Sequence, residues 1–143
     1  MPGPDTDPGS DLAACLQVAL PVPLPRLFDY LPPVGIEVGA VRTGQRIRVP
    51  FGPRELVGVV AGTGRAEGGV ELRRALALPD PEPLVTGELL ESLRWLARYT
   101  HAPAGEVFAT ALPSSLRAGG PRPATHASAW LLTEAGATGL AWL

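Results

Sequence analysis

Hydrophobic and polar positions alternate with a period of two in the first half of the chain and move to helical spacing in the second. Leu16, Val18 and Leu20 alternate with Gln17 and Ala19, which predicts a strand. Pro21, Pro23 and Pro25 then exclude a helix and remove three ladder donors, so an extended crossing segment is expected. Leu27 to Leu31 reads as a second short strand, ended by Pro32-Pro33 and Gly35. In Arg46 to Phe51, the side chains of Ile47, Val49 and Phe51 point one way, while Arg46 and Arg48 point the other. That arginine pair reads as a solvated strand face. Gly52-Pro53 predicts a turn, Glu55 to Ala61 a valine-rich strand, Gly62 to Gly69 a loop, and Leu72 to Leu78 a last strand.

The second half changes character. Thr86 is a candidate N-cap, and Glu88 in the first turn suits the positive end of the helix dipole. Leu89, Leu93, Leu96 and Ala97 follow helical spacing and are expected to face the sheet, with Glu91, Arg94 and Arg98 outside and Trp95 in the core. The helix should stop near Thr100 to Ala102, with His101 as a C-terminal capping group. Pro103 can open a second short helix carrying Phe108 and Leu112, and Pro113 should end it. Arg117 to Thr125 reads as a linker, and Trp130 to Leu143 as the start of another element. The expected fold is α+β: a small, curled or barrel-like, mostly antiparallel sheet followed by a short helical part. The expected organisation is a disordered leader over 1–15, a domain over 16–117, and a linker with the truncated start of a further segment over 118–143.

Composition narrows the chemistry. The 143 residues suffice for one modest domain, and 45% hydrophobic against 18% charged content supports a core. The acidic, Pro/Gly-rich start lacks the basic and apolar stretches of a signal peptide, and no run is long enough to span a bilayer. A cytoplasmic chain without membrane partners is expected. The single cysteine, Cys15, cannot form an internal disulfide, and His101 and His126 have no ligand spacing, so neither metal nor cofactor is expected. No GxxxxGK[ST] phosphate loop is present, so no ATPase or helicase activity, and no catalytic residue, is assigned to this chain. A net charge of −2 argues weakly against strong nonspecific nucleic-acid binding, although Arg26, Arg42, Arg46, Arg48 and Arg54 concentrate in the first half. There is no lysine, which codon preference explains at least as well as function.

Five stretches stand out: VALPVPLPRLFDYLPP, RVPFG with a following GVV, LARYTHAPAGEV, and ALPSSLR. In this order, over about Leu16 to Arg117, they resemble the N-terminal 3′-DNA-binding domain of the primosomal replication-restart helicases, the primosomal protein N′ family. The glycine-rich Gly62 to Gly69 stretch and the residues before Leu16 depart from the family pattern. The resemblance implies capture of the 3′ end of the nascent leading strand at a stalled, forked DNA, in primosome assembly and replication restart. It implies a DNA-binding pocket formed by Phe28, Asp29, Tyr30 and Gly52, with Arg73 as the basic member and Arg74 as its alternative.

The residue chemistry fits that implication. A terminal nucleotide carries a hydroxyl where an internal one carries a phosphate. A carboxylate at Asp29 accepts from the hydroxyl and repels the phosphate, which is attraction and exclusion in one group. Glycine at 52 allows close approach of backbone to a sugar or base. Aromatic or arginine surfaces stack on a terminal base whatever its identity. Spacing alone gives other readings: Phe28 and Tyr30 as core, Asp29 as a turn or surface residue, and Gly52 as a turn glycine. A rival function is a protein-interaction module in which the proline ledge, Pro21 to Pro25, docks single-strand-binding protein or another restart factor.

Overall fold

The computed structural model describes residues 13–66, 70–122 and 129–140. Strands β1 (Ala13–Ala19), β2 (Phe28–Tyr30), β3 (Arg46–Phe51) and β4 (Arg54–Ala66) form one antiparallel sheet in the order β2-β1-β4-β3. Helices α1 (Gly87–Thr100), α2 (Ala104–Thr110) and α3 (Ser114–Arg117) follow, and α4 spans Glu134–Leu140. The α+β expectation holds, and the sheet is not closed into a barrel. No helix among the described residues is long and apolar enough to cross a membrane.

Both faces of the sheet are covered. Leu16, Val18, Ile47, Val49 and Val60 point to one face and pack with Leu20, Tyr30, Val41 and Ala75. Ala19 and Val59 point to the other and pack beneath Leu93, Val107, Phe108, Leu112 and Leu116 of the helical part. Strand alternation therefore feeds two cores, and neither face of β3 is simply solvent-facing.

Several elements differ from expectation. The β1 strand begins at Ala13, so Ala13–Cys15 join the sheet; residues 1–12 lie outside the described residues. The β4 strand does not stop at Ala61 but runs to Ala66, because Gly62 and Gly64 pair with Gln17 and Cys15 of β1. A register shift between Gln17 and Val18 leaves Ala61 as the extra residue of a bulge, and Arg94 of α1 donates to its carbonyl at 2.7 Å. Leu72 to Leu78 is not a strand. It makes one bridge beside β2 (Leu31 with Arg74) and one to β3 (Arg48 with Ala77), so it spans the gap between the two sheet edges.

The helical part starts at Thr86 as expected, although the Thr86 side chain makes no capping bond. Its buried stripe is Leu90, Leu93 and Ala97. Leu89, Leu96 and Trp95 are exposed, and Trp95, 56% accessible, stacks on Tyr99 at 4.8 Å instead of entering the core. His101 is the C-cap and adopts a left-handed conformation (φ 54°). Pro103 precedes α2, where Gly105 lies so close to β1 that a Cβ would collide with the Leu20 carbonyl.

Arg46 is the largest departure. It is buried completely rather than solvated. Its Nε donates to Asp80 Oδ2 at 2.6 Å and its Nη2 to Asp80 Oδ1 at 2.8 Å. Its Nη1 donates to the carbonyls of Leu116 at 2.7 Å and Gly120 at 2.9 Å. Arg117, where the linker is expected to begin, is instead the last residue of α3, and a turn through half-buried Gly119 and Gly120 follows, anchored by Arg46. Residues 123–128 lie outside the described residues.

Candidate nucleic-acid interface

The β2 strand is an edge strand, paired to β1 through Leu16–Tyr30, Gln17–Asp29 and Val18–Phe28. Aromatic residues favour this pleated surface, and Pro32-Pro33 end it. Period-2 alternation sends Phe28 and Tyr30 to one side and Asp29 to the other. Tyr30 is 5% exposed, and its hydroxyl donates to the Pro50 carbonyl at 2.8 Å, tying β2 across the core to β3. Phe28 is half-buried and meets Phe51 edge-on, with centroids 5.4 Å apart and planes at 89°. Asp29 is exposed.

An open cleft of about 270 Å³ lies along this edge. Residues 26–30 form one wall and residues 70–73 the other. The second wall is held by backbone: Leu31 N–H donates to the Arg73 carbonyl at 2.9 Å, and Ala75 N–H to the Leu31 carbonyl at 2.8 Å. Antiparallel ladders alternate the direction of successive backbone groups. Since Leu31 bonds outward, Asp29 also turns its N–H and C=O away from β1, towards the cleft.

The cleft brings together Phe28, Asp29, Tyr30 and Arg73. Arg74 turns elsewhere, donating to the Pro32 carbonyl at 2.8 Å, so of these two arginines Arg73 lines the cleft. Gly52 is not among the lining residues. It sits at the tip of the β3–β4 hairpin with φ 58°, next to Phe51, whose ring meets Phe28 of the cleft. Tyr30 contributes to the wall while its phenol serves the core; burial raises that phenol's pKa and the positive Arg73 opposes the rise. Among the described residues no cation lies within salt-bridge distance of Asp29. Burial, then the neighbouring Asp29 carboxylate, hold the Cys15 thiol above the usual range.

Sequence reasoning did not assign Arg26 to the site. Its guanidinium lies 4.7 Å from the Phe28 ring centroid, in cation–π geometry, and lines the cleft. The signal was present: Arg26 and Phe28 are two apart in an extended segment and so share a side. The cleft thus combines Arg26 and Arg73 with Asp29 and Glu71, around an aromatic face. It suits a ligand with an anionic part, a flat ring and a hydrogen-bond donor. Among the described residues no group of carboxylate, histidine or cysteine side chains is arranged to hold a metal ion.

Residues 17–113 match the family model of the PriA 3′DNA-binding domain (3′BD). This chain belongs to that family. The replication restart protein PriA of Haemophilus influenzae is 36% identical over 127 residues, which cover 87% of this chain and 17% of that protein. PriA of Bacillus subtilis is 34% identical over 95 residues, covering 65% of this chain and 12% of that protein. The chain therefore spans less than a fifth of the curated relatives it matches. The stretch assigned to the 3′BD contains both walls of the cleft, the Gly52 hairpin, and the Arg46–Asp80 pair. It ends before Leu116 and Gly120, whose carbonyls complete the Arg46 site in this 3′BD.

Proposed function

We propose that this 3′BD captures the 3′-OH terminus of a DNA strand in the β2-edge cleft, without catalysis, as the fork-recognition module of a replication-restart protein. Asp29 accepts from the terminal hydroxyl. Phe28, with Arg26 stacked on it, presents a surface to the last base, and Arg73 holds the preceding phosphate. Gly52, at the open hairpin tip, leaves room for the strand to approach Phe51. A DNA terminus at a fork, and other restart proteins as partners, belong to the same proposal, as does action in the cytoplasm.

The observation that carries this reading is an exposed carboxylate, without an ion-pair partner among the described residues, inside an arginine-bearing cleft. A site built only for internal phosphate gains nothing from Asp29, which repels it. A site for a strand end gains a charge-assisted hydrogen bond of about 1.5–3 kcal/mol.

Fluorescence anisotropy with otherwise identical single strands ending in 3′-OH or 3′-phosphate tests the reading. Tighter binding of the hydroxyl end is expected, with Asp29→Ala abolishing that preference. Equal affinities for the two ends in the unaltered domain would refute it.

A further inference from the structure

Beyond Arg26 the edge cleft does not close. A second groove of about 420 Å³ shares Arg26 and Leu27 with it and continues past Ala97, Arg98 and His101 to Ala104. The two grooves have different chemistry. The first carries Asp29 and Glu71, whereas no carboxylate lines the second, which presents Arg26, Arg98 and His101 above an alanine and leucine floor. In a chain whose acidic residues outnumber its arginines 14 to 12, an acid-free groove with two arginines and a histidine departs from the average surface. Among the described residues neither Arg26 nor Arg98 is within salt-bridge distance of a carboxylate.

We infer that this second groove is a track for the sugar-phosphate backbone of the nucleotides 5′ of the captured end. The inference rests on the end-binding reading of the first cleft. The two sites divide the recognition of one strand. The acid-bearing cleft takes the single residue that has a hydroxyl in place of a phosphate. The acid-free groove takes the residues that all carry phosphate. Arg26 stands at the junction, where the terminal base and the first internal phosphate meet. The alanine and leucine floor accommodates sugar faces without reading base identity. Arg98 also lies in the last turn of α1, where a cation opposes the partial negative charge of the helix end, so the test needs a readout which that structural role would not move.

The experiment compares a trinucleotide with a dodecamer, both ending in 3′-OH, over a salt series, for the unaltered domain and for Arg98→Gln, Arg98→Glu and Arg98→Lys. The dodecamer should bind the unaltered domain more tightly, with a salt slope steeper by roughly one to one and a half. Arg98→Gln should weaken dodecamer binding about three- to tenfold and lower its slope by about 0.7, leave the trinucleotide unchanged, and be rescued by Arg98→Lys. Arg98→Glu should remove the length gain entirely. A dodecamer advantage that survives Arg98→Glu, or no advantage in the unaltered domain, overturns the track. Failure of the end-binding reading shows elsewhere, as equal affinity for trinucleotides ending in 3′-OH and 3′-phosphate.

Discussion

Arg46 on β3 and Asp80 in the segment before α1 form a two-pronged ion pair inside the protein, with N–O distances of 2.6 and 2.8 Å. The Nη1 donors reach the Leu116 and Gly120 carbonyls, so one side chain joins sheet, connecting segment and C-terminal turn. Removing one partner leaves the other charge buried. Asp80→Asn or Arg46→Met should each cost about 3–5 kcal/mol in urea unfolding, and Arg46→Met with Asp80→Leu substantially less than the sum. Additive losses would mean the two residues act independently.

The same pair sets an acid limit. The hydrogen bond from Arg46, outweighing burial, holds the Asp80 carboxyl below its usual range. A carboxyl with its folded pKa depressed contributes its stability in full above the unfolded value, near pH 4, and loses it as pH falls through the folded value. Urea midpoints should drop below about pH 4, and the Arg46→Met/Asp80→Leu protein should lose less over that interval. Identical acid profiles would show that another carboxyl governs it.

Two glycines separate steric from conformational demand. At Gly105 a Cβ would strike the Leu20 carbonyl, so Gly105→Ala should cost at least about 2 kcal/mol by forcing α2 off β1. At Gly52 nothing lies within 4 Å of a Cβ, and only the φ of 58° resists substitution. Gly52→Ala should cost about 1–2 kcal/mol, with the core unperturbed. Chemical denaturation ranks the two, and a greater loss at Gly52 would contradict the packing described.

Cys15 is a built-in reporter of the β1–β2 edge. Cys15 is 1% exposed and its thiol pKa is raised, so both access and thiolate fraction are low. Reaction with a disulfide reagent at neutral pH should be far slower in the folded protein than in urea. Native-state labelling at the unfolded rate would mean this edge is open in solution.

Punctuation and period made much of the architecture readable. Pro32-Pro33 marked the end of β2, Pro113 that of α2, and Gly52-Pro53 the hairpin. Period-2 alternation correctly sent Ile47, Val49 and Phe51 to one face. What alternation does not encode is whether the opposite face is covered. Arg46 read as solvated because its partners, Asp80, Leu116 and Gly120, are 34 to 74 residues away in sequence. Gly62 and Gly64 read as loop because glycine weakens strands, yet both are held in register by β1. Trp95 read as core, whereas Phe108, 2% exposed, fills that role. Trp95→Ala should therefore change stability by no more than about 1 kcal/mol, and Phe108→Ala by about 3–5, in thermal or urea unfolding. At the site, Phe28, Asp29, Tyr30 and Arg73 came from the family likeness; Arg26 followed from spacing but needed the Phe28 ring beneath it to be seen.

Arg73 begins a strap, Arg73 to Ala77, that spans the two sheet edges. Its own carbonyl is clasped by Leu31, while Leu76 and Ala77, a few residues on, are clasped by Arg48. The strap is fastened at both ends by main-chain hydrogen bonds. The pairing uses main-chain groups alone, so the placement of Arg73 beside the cleft tolerates side-chain exchange along the strap.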